Sequence, residues 1–295
     1  MPGRQPEVFG DLPVLRTVRE MRGLSRRLRD GGSSLALVPT MGSLHEGHLS
    51  LIDRARSLAD HVCVSIFVNP SQFGPGEDFS RYPRDLSADI ELAGARGADY
   101  VFAPEEHEMY PSPQRIWVDP GPLAGTLCGA SRPGHFRGVL TVVLKLFQIV
   151  EPSAAVFGRK DFQQSVLIRA MCRDLALPVE IDVAPVVREA DGLALSSRNV
   201  YLSPEQRVQA LALAGGLRAA CASFAGGETD ALRLKQAASG VLETAGLTPE
   251  YVAVVDPETL NEDAEAGARS VCAVAAVVGS TRLIDNTPLG GTADL

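Results

Sequence analysis

Short apolar runs alternate with stretches of helical spacing through the first two thirds of the chain, and that alternation leaves few folds open. Residues 35–38 (LALV), 61–68 (HVCVSIFV), 99–102 (DYVF), 154–157 (AAVF) and 179–183 (VEIDV) read as strands. Between them, residues 14–30, 47–59, 85–96, 138–150 and 162–175 read as helices. In the first of these, Leu15, Val18, Met21, Leu24 and Leu28 recur at helical spacing until Gly31 and Gly32 stop it. Residues 138–150 (GVLTVVLKLFQIV) form too long an apolar run for a strand and read as a buried helix. Strands without polar interruption belong in a parallel sheet covered on both faces. The expected class is therefore α/β, a Rossmann-like doubly wound parallel sheet, with Pro39 ending its first strand.

The texture changes after about Asn199. Ser203 and Pro204 open a long alanine-rich helix as N-cap and first helical residue. A Gly/Ala/Ser-rich connection over 222–229 precedes a helix ending near Ala245, and residues 251–255, 271–278 and 281–284 read as strands. This predicts a smaller C-terminal α+β domain, the division falling as 1–187 and 188–295. Residues 290–295 read as a frayed tail.

Composition excludes several classes. A net charge of −8 argues against a nucleic-acid partner, which calls for a basic surface. No run of about eighteen apolar residues predicts a membrane span, and residues 1–10 lack an apolar signal core, so a cytoplasmic location is expected. Cys63, Cys128, Cys172, Cys221 and Cys272 are scattered without a CxxC pair, which predicts reduced, mostly buried thiols. Lysine is scarce: Lys145, Lys160 and Lys235 stand among 28 basic residues, so a lysine in a glycine-bearing turn is conspicuous.

Four turns carry residues suited to chemistry. The first, Pro39-Thr40-Met41-Gly42-Ser43-Leu44-His45-Glu46-Gly47-His48, joins the first apolar strand to a helix, where open α/β sheets bind ligands. A helix amino end offers unpaired amides and partial positive charge to phosphate, and two imidazoles three residues apart can face one way. The same HxxH spacing also fits a structural pair or half a metal site. The second turn, Asn69-Pro70-Ser71-Gln72-Phe73-Gly74, brings amides at Asn69 and Gln72 that donate and accept at once. The third is Gly158-Arg159-Lys160-Asp161-Phe162-Gln163-Gln164, where Lys160 can set a fixed charge against a phosphate. The fourth, Val187-Arg188-Glu189-Ala190-Asp191-Gly192-Leu193-Ala194-Leu195-Ser196-Ser197-Arg198-Asn199, combines hydroxyls with a guanidinium. Read alone, the second and fourth are equally ordinary polar turns.

Taken in order, PTMGSLHEGH, FVNPSQF, GRKDFQQ and READGLALSSRN resemble the motifs of the pantothenate synthetases, within the wider HxGH nucleotidyltransferases. The resemblance runs from about Pro39 to Tyr201. It implies an ATP-dependent ligase that condenses pantoate with β-alanine, releasing AMP and pyrophosphate through pantoyl adenylate. It also implies ATP contacts at Met41, Gly42, Ser43, Leu44, His45, Glu46, Gly47, His48, Gly158, Arg159, Lys160, Asp161, Val187, Leu195, Ser196, Ser197 and Arg198. By the same resemblance His48, His45 and Lys160 are catalytic, Gln72 and Gln164 bind pantoate, and Asp89 contacts Mg2+. The first domain becomes the ATP- and pantoate-binding catalytic domain, the second a lid, and the molecule a homodimer with small-molecule substrates and no membrane or nucleic-acid partner. Two departures stand out: Arg159 replaces an acidic residue of the family motif, and Leu195 a common methionine. Arg132 and His135, in SRPGHFRG, are expected as active-site wall or lid residues.

Two rivals remain at this point. A related nucleotidyltransferase would use ATP or CTP without pantoate, and a nucleotide-binding regulatory module would release no pyrophosphate.

Overall fold

Val14, Val38, Val62, Val64, Val101 and Val156 are fully buried, and all lie on neighbouring strands of one sheet. Burying such a side chain contributes about 1.5–3 kcal/mol relative to exposure, so these valines help hold the neighbouring strands together. The computed structural model describes residues 7–9 and 12–291. In chain order the elements are β1 (Glu7–Phe9), β2 (Leu12–Leu15), α1 (Val18–Asp30), β3 (Leu35–Thr40), α2 (Glu46–Arg56), β4 (His61–Ile66), α3 (Leu86–Ala95) and β5 (Tyr100–Phe102). There follow α4 (Glu106–Met109), α5 (Leu127–Ser131), α6 (His135–Val150), β6 (Ala154–Gly158), α7 (Phe162–Asp174) and β7 (Glu180–Ala184). The last elements are α8 (Pro204–Ala225), α9 (Ala231–Thr244), β8 (Pro249–Val255), β9 (Val271–Val278) and β10 (Thr281–Pro288).

Two compact units are distinguished. The first comprises Met1–Pro120, Arg132–Gly158 and Leu167–Ala184, and the second Gly121–Ser131, Arg159–Val166 and Pro185–Leu295. In the first unit the strand order is β1-β2-β5-β4-β3-β6-β7. The six strands β2 to β7 are parallel and β1 is antiparallel at the edge. From β3 the chain steps outward through β4 and β5, then returns to place β6 on the other side of β3. That reversal is the switch point of the sheet, and its flanks are the carboxyl ends of β3 and β6. The α/β, Rossmann-like reading therefore holds.

The second unit contains the antiparallel sheet β10-β9-β8 against α8 and α9. Its core gathers Leu213, Leu217, Leu234, Leu242, Val254 and Val274. Ser203 caps α8 as expected, its hydroxyl accepting the Gln206 N–H at 3.2 Å. By length and composition α8 could cross a membrane. Its residues Leu213, Leu217, Ala220 and Cys221 are instead packed into this core.

Several boundaries differ from expectation, four of them instructively. Residues 14 and 15 belong to strand β2, and α1 begins at Val18. A capping box decides the start: Thr17 Oγ1 accepts the Glu20 N–H, while Glu20 Oε2 accepts the Thr17 N–H at 3.0 Å. β3 passes through Pro39 to Thr40, its ladder to β6 being confined to Ala36 and Leu37. α8 runs on to Ala225, alanine being the best helix former, before Gly226 caps it. β10 continues to Pro288, four residues beyond the expected end. Of the expected frayed tail, residues 292–295 lie outside the described residues, as do residues 1–6 and 10 of the amino-terminal segment. All five cysteines are free and buried.

Candidate active site

In the first unit, β3 ends at Thr40 and α2 begins at Glu46, so the connecting loop turns sharply over the sheet edge. Gly42 and Ser43 take the left-handed conformation, at φ +82° and +53°. A Cβ on residue 42 would lie 2.7 Å from Asp89 Oδ2, so both dihedral and space require glycine there. Thr40 Oγ1 accepts the Gly42 N–H at 3.2 Å and donates to the Ser65 carbonyl at 2.8 Å.

Asp89, on α3, anchors the loop. Its two carboxylate oxygens accept the Ser43 N–H at 2.9 Å and the Leu44 N–H at 2.6 Å. Burial pushes its carboxyl above the usual range, against the opposing pull of the Leu44 and Ser43 N–H bonds. A carboxylate 3% exposed, with both oxygens on backbone amides, fits a loop anchor better than a ligand for an incoming Mg2+. Among the described residues no cluster of three or more His, Cys, Asp or Glu is arranged to hold a metal. By themselves the described residues do not form a closed magnesium site, the ion's usual partners being one or two carboxylates together with substrate phosphates.

His45 is the N-cap of α2 and His48 lies in its first turn. Their ring centroids are 4.1 Å apart. His48 Nδ1 accepts the His45 N–H at 3.4 Å, which in the neutral ring leaves the proton on Nε2 as a donor. Leu44 points into the core, and Glu46 pairs with Arg96 at 2.6 Å, so neither side chain is directed to a ligand.

Gln72 lies beside this loop, its Nε2 reaching Met41 Sδ at 3.1 Å. Asn69 determines which way that amide faces. Asn69 Nδ2 donates to Gln72 Oε1 at 3.0 Å and to the Gly138 carbonyl at 3.3 Å. Its Oδ1 accepts from the Ser71 N–H, the Ser71 hydroxyl and the Tyr110 hydroxyl, the last at 2.8 Å. Buried at 1% exposure and fully engaged, Asn69 orients Gln72 and does not itself offer a substrate contact, contrary to expectation. Gln72 is left with its NH2 as the group available to a ligand. Behind it, His135 Nδ1 donates to the Gln72 carbonyl at 2.8 Å while Arg132 donates to His135 Nε2 at 2.9 Å. Burial raises the Glu77 carboxyl, but paired Arg132 overcomes this and holds it below the usual range. Arg132 and His135 thus brace the Gln72 turn. α6 lies so close to this turn that a Cβ on Gly138 would run into the Ser71 carbonyl. Tyr110 escapes a reading of the sequence because a tyrosine between α4 and a proline carries no periodic or motif signal.

In the second unit, Arg159–Asp161 forms a 3-10 turn leading into α7, with Lys160 half-buried. Of the two adjacent glutamines, Gln163 is structural. Its Nε2 donates to the Leu123 and Thr126 carbonyls at 2.9 Å each, and its Oε1 accepts the Gly129 N–H. Gln164 is half-buried beside it. The loop after Val187 folds back on itself, the Leu195 N–H meeting the Val187 carbonyl at 2.9 Å, with Gly192 at φ +94° in its turn. Ser196 Oγ caps the following 3-10 turn by accepting the Arg198 N–H at 3.3 Å. Asn199 bonds Glu189 at 2.7 Å and the Ala194 carbonyl at 3.0 Å, closing the loop from inside. Leu195, Ser196, Ser197 and Arg198 remain half-buried at its rim.

Comparison with known proteins shows the family. A family model described as "Pantoate-beta-alanine ligase" matches residues 13–288. A pantothenate synthetase of Thermotoga neapolitana is 51% identical over 278 residues, 94% of this chain and 99% of that protein. Pantothenate synthetase 1 of Bradyrhizobium diazoefficiens is 52% identical, over 94% and 98%. Among solved structures, the crystal structure of pantothenate synthetase from Thermus thermophilus superposes with TM-score 0.89 at 45% identity, covering 94% of this chain and 99% of that one. A pantoate-beta-alanine ligase from Francisella tularensis, complexed with "Beta-gamma ATP and Beta-alanine", has TM-score 0.80 at 33% identity, covering 95% and 98%.

Proposed function

The chain belongs to the pantoate-beta-alanine ligase family, and from that premise we propose how its own residues divide the reaction. The enzyme uses ATP to activate pantoate as pantoyl adenylate and then transfers the pantoyl group to β-alanine, giving pantothenate, AMP and pyrophosphate. In the first step the pantoate carboxylate attacks the α-phosphorus in line and pyrophosphate leaves. Gln72 and Gln164 hold pantoate. His48, through Nε2–H, acts with His45 and Lys160 to stabilise charge developing on the phosphates. Gly158, Arg159 and Asp161 contact the nucleotide, as do Val187 and residues 41–47, mainly through backbone. Ser196, Ser197, Arg198 and the adjoining Leu195 backbone hold the departing phosphates. In the second step the uncharged amine of β-alanine attacks the acyl carbon and AMP departs. Mg2+ enters with the ATP phosphates as part of the substrate. Little covalent help is required of the protein, so positioning and fixed charge carry the rate. Assembly as a homodimer and action in the cytoplasm belong to the same proposal.

The observation that carries the assignment of Gln72 is its fixed orientation against Met41 of the HEGH loop, which presents N–H donors to an oxygen-rich acid. Labelled pyrophosphate should exchange into ATP only when pantoate is present, and without any need for β-alanine. Exchange that ignores pantoate would indicate a different acid substrate, and no exchange would indicate a binding module.

Tyr110→Phe tests the amide's orientation. Losing one neutral hydrogen bond to Asn69 is worth about 0.5–1.5 kcal/mol, so the KM for pantoate should rise several-fold with the KM for ATP unchanged. An unaltered pantoate KM would mean that Asn69 holds Gln72 without Tyr110.

A further inference from the structure

We propose that Asn286 is a positioning residue for Lys160, setting the main-chain path from which that ammonium projects. The proposal rests on the assignment of Lys160 to the adenylation step. Asn286 lies on β10, 2% exposed, and its Nδ2 donates to two successive carbonyls, Arg159 at 2.9 Å and Lys160 at 3.0 Å. One NH2 group thus fixes two consecutive peptide planes. A turn held at both carbonyls can neither rotate its peptide units nor slide along β10. The same side chain leaves its Oδ1 buried with no hydrogen-bond partner. Rotating the amide would set that oxygen against two carbonyl oxygens, so the orientation is determined and only the donor half is used. A buried polar group with half its capacity unmet is poor packing material, because an apolar side chain would avoid that penalty. The requirement for two donors aimed at residues 159 and 160 explains an asparagine there.

The neighbouring residue works in the same manner. Asp285 accepts from both terminal nitrogens of Arg188, at 2.6 and 3.0 Å, and its Oδ1 also accepts the Asn286 N–H at 2.8 Å. Arg188 in turn donates to the Gly192 carbonyl at 3.1 Å inside the fourth motif loop. Two successive residues of one edge strand therefore hold the Lys160 turn and the 187–199 loop. This role also accounts for the chemical identity of Arg159 being immaterial to the clamp, since its carbonyl is the group engaged.

The test is a rapid-quench measurement of pantoyl-adenylate formation for Asn286→Ala, Asn286→Ser, Lys160→Ala and the double variant Lys160→Ala/Asn286→Ala, each checked for a native unfolding transition. Misplacing a catalytic group by about an ångström costs on the order of 100-fold, so Asn286→Ala should slow adenylation by about 10–100-fold with the KM for pantoate within about threefold. In the Lys160→Ala background the second substitution should cause little further loss, an outcome that general loosening of the fold would not produce. Asn286→Ser, which keeps a small polar group but lacks the two donors, should behave as alanine does and serves if alanine impairs folding. A near-normal rate in either folded single variant overturns the proposal, as does an undiminished loss in the Lys160→Ala background. Near-normal adenylation by Lys160→Ala itself overturns the underlying assignment, and the clamp's catalytic meaning with it.

Discussion

Lys160→Ala should reduce the rate of pantoyl-adenylate formation by about 100–1,000-fold, equivalent to about 3 kcal/mol or more of transition-state stabilisation, the scale of losing one preorganised charged donor. The loss should fall on the chemical step. Lys160 is half-buried, so its removal should leave the unfolding temperature almost unchanged. Lys160→Arg should recover little, because a planar guanidinium cannot place a compact charge where the ammonium sits. Single-turnover quench with labelled ATP, alongside thermal unfolding, separates the two readouts. A rate within about threefold of normal would remove Lys160 from the mechanism.

Asp89→Ala should act on both stability and turnover. It leaves the Ser43 and Leu44 N–H groups without their acceptor beside a buried position, at a cost of about 2–4 kcal/mol. Because these amides hold the turn leading to His45 and His48, the KM for ATP should rise and adenylation slow by about 100-fold. Asp89→Asn keeps the shape but only one acceptor, so its cost should be intermediate, about 1–3 kcal/mol. Asp85→Ala is the control: Asp85 caps the same helix from an exposed position, accepting the Ala88 N–H at 3.1 Å. It should cost about 1 kcal/mol with normal kinetics. If Asp85→Ala and Asp89→Ala impaired turnover equally, the specific anchoring role would be lost.

The sheet is legible in the sequence because buried parallel strands are nearly all apolar, as in LALV and HVCVSI, and because helical spacing separates them. The motif turns can be located for the same reason, since each follows such a run. Periodicity also obscures some local signals. Leu15 and Val18 happen to sit three apart, yet the Thr17–Glu20 capping box divides them between strand and helix. The pattern understates β10 because Asp285 and Asn286 are poor strand formers, tolerated here by partners far back in the chain. No local pattern separates Gln163 from Gln164. The three bonds that make Gln163 structural come from residues 123–129. Asn69 is as fit as Gln72 to bind a ligand on sequence grounds, and only its hydrogen-bond partners in the fold show it to be engaged.

The bonds from Asn286 to the carbonyls of Arg159 and Lys160 close over 127 and 126 positions. A ribosome adding about 5–20 residues per second takes roughly 6–25 s to traverse that interval. During that time the lysine-bearing turn has emerged without the strand that fastens it. A product cut off before residue 286 has the Lys160 turn without the amide that holds its two carbonyls.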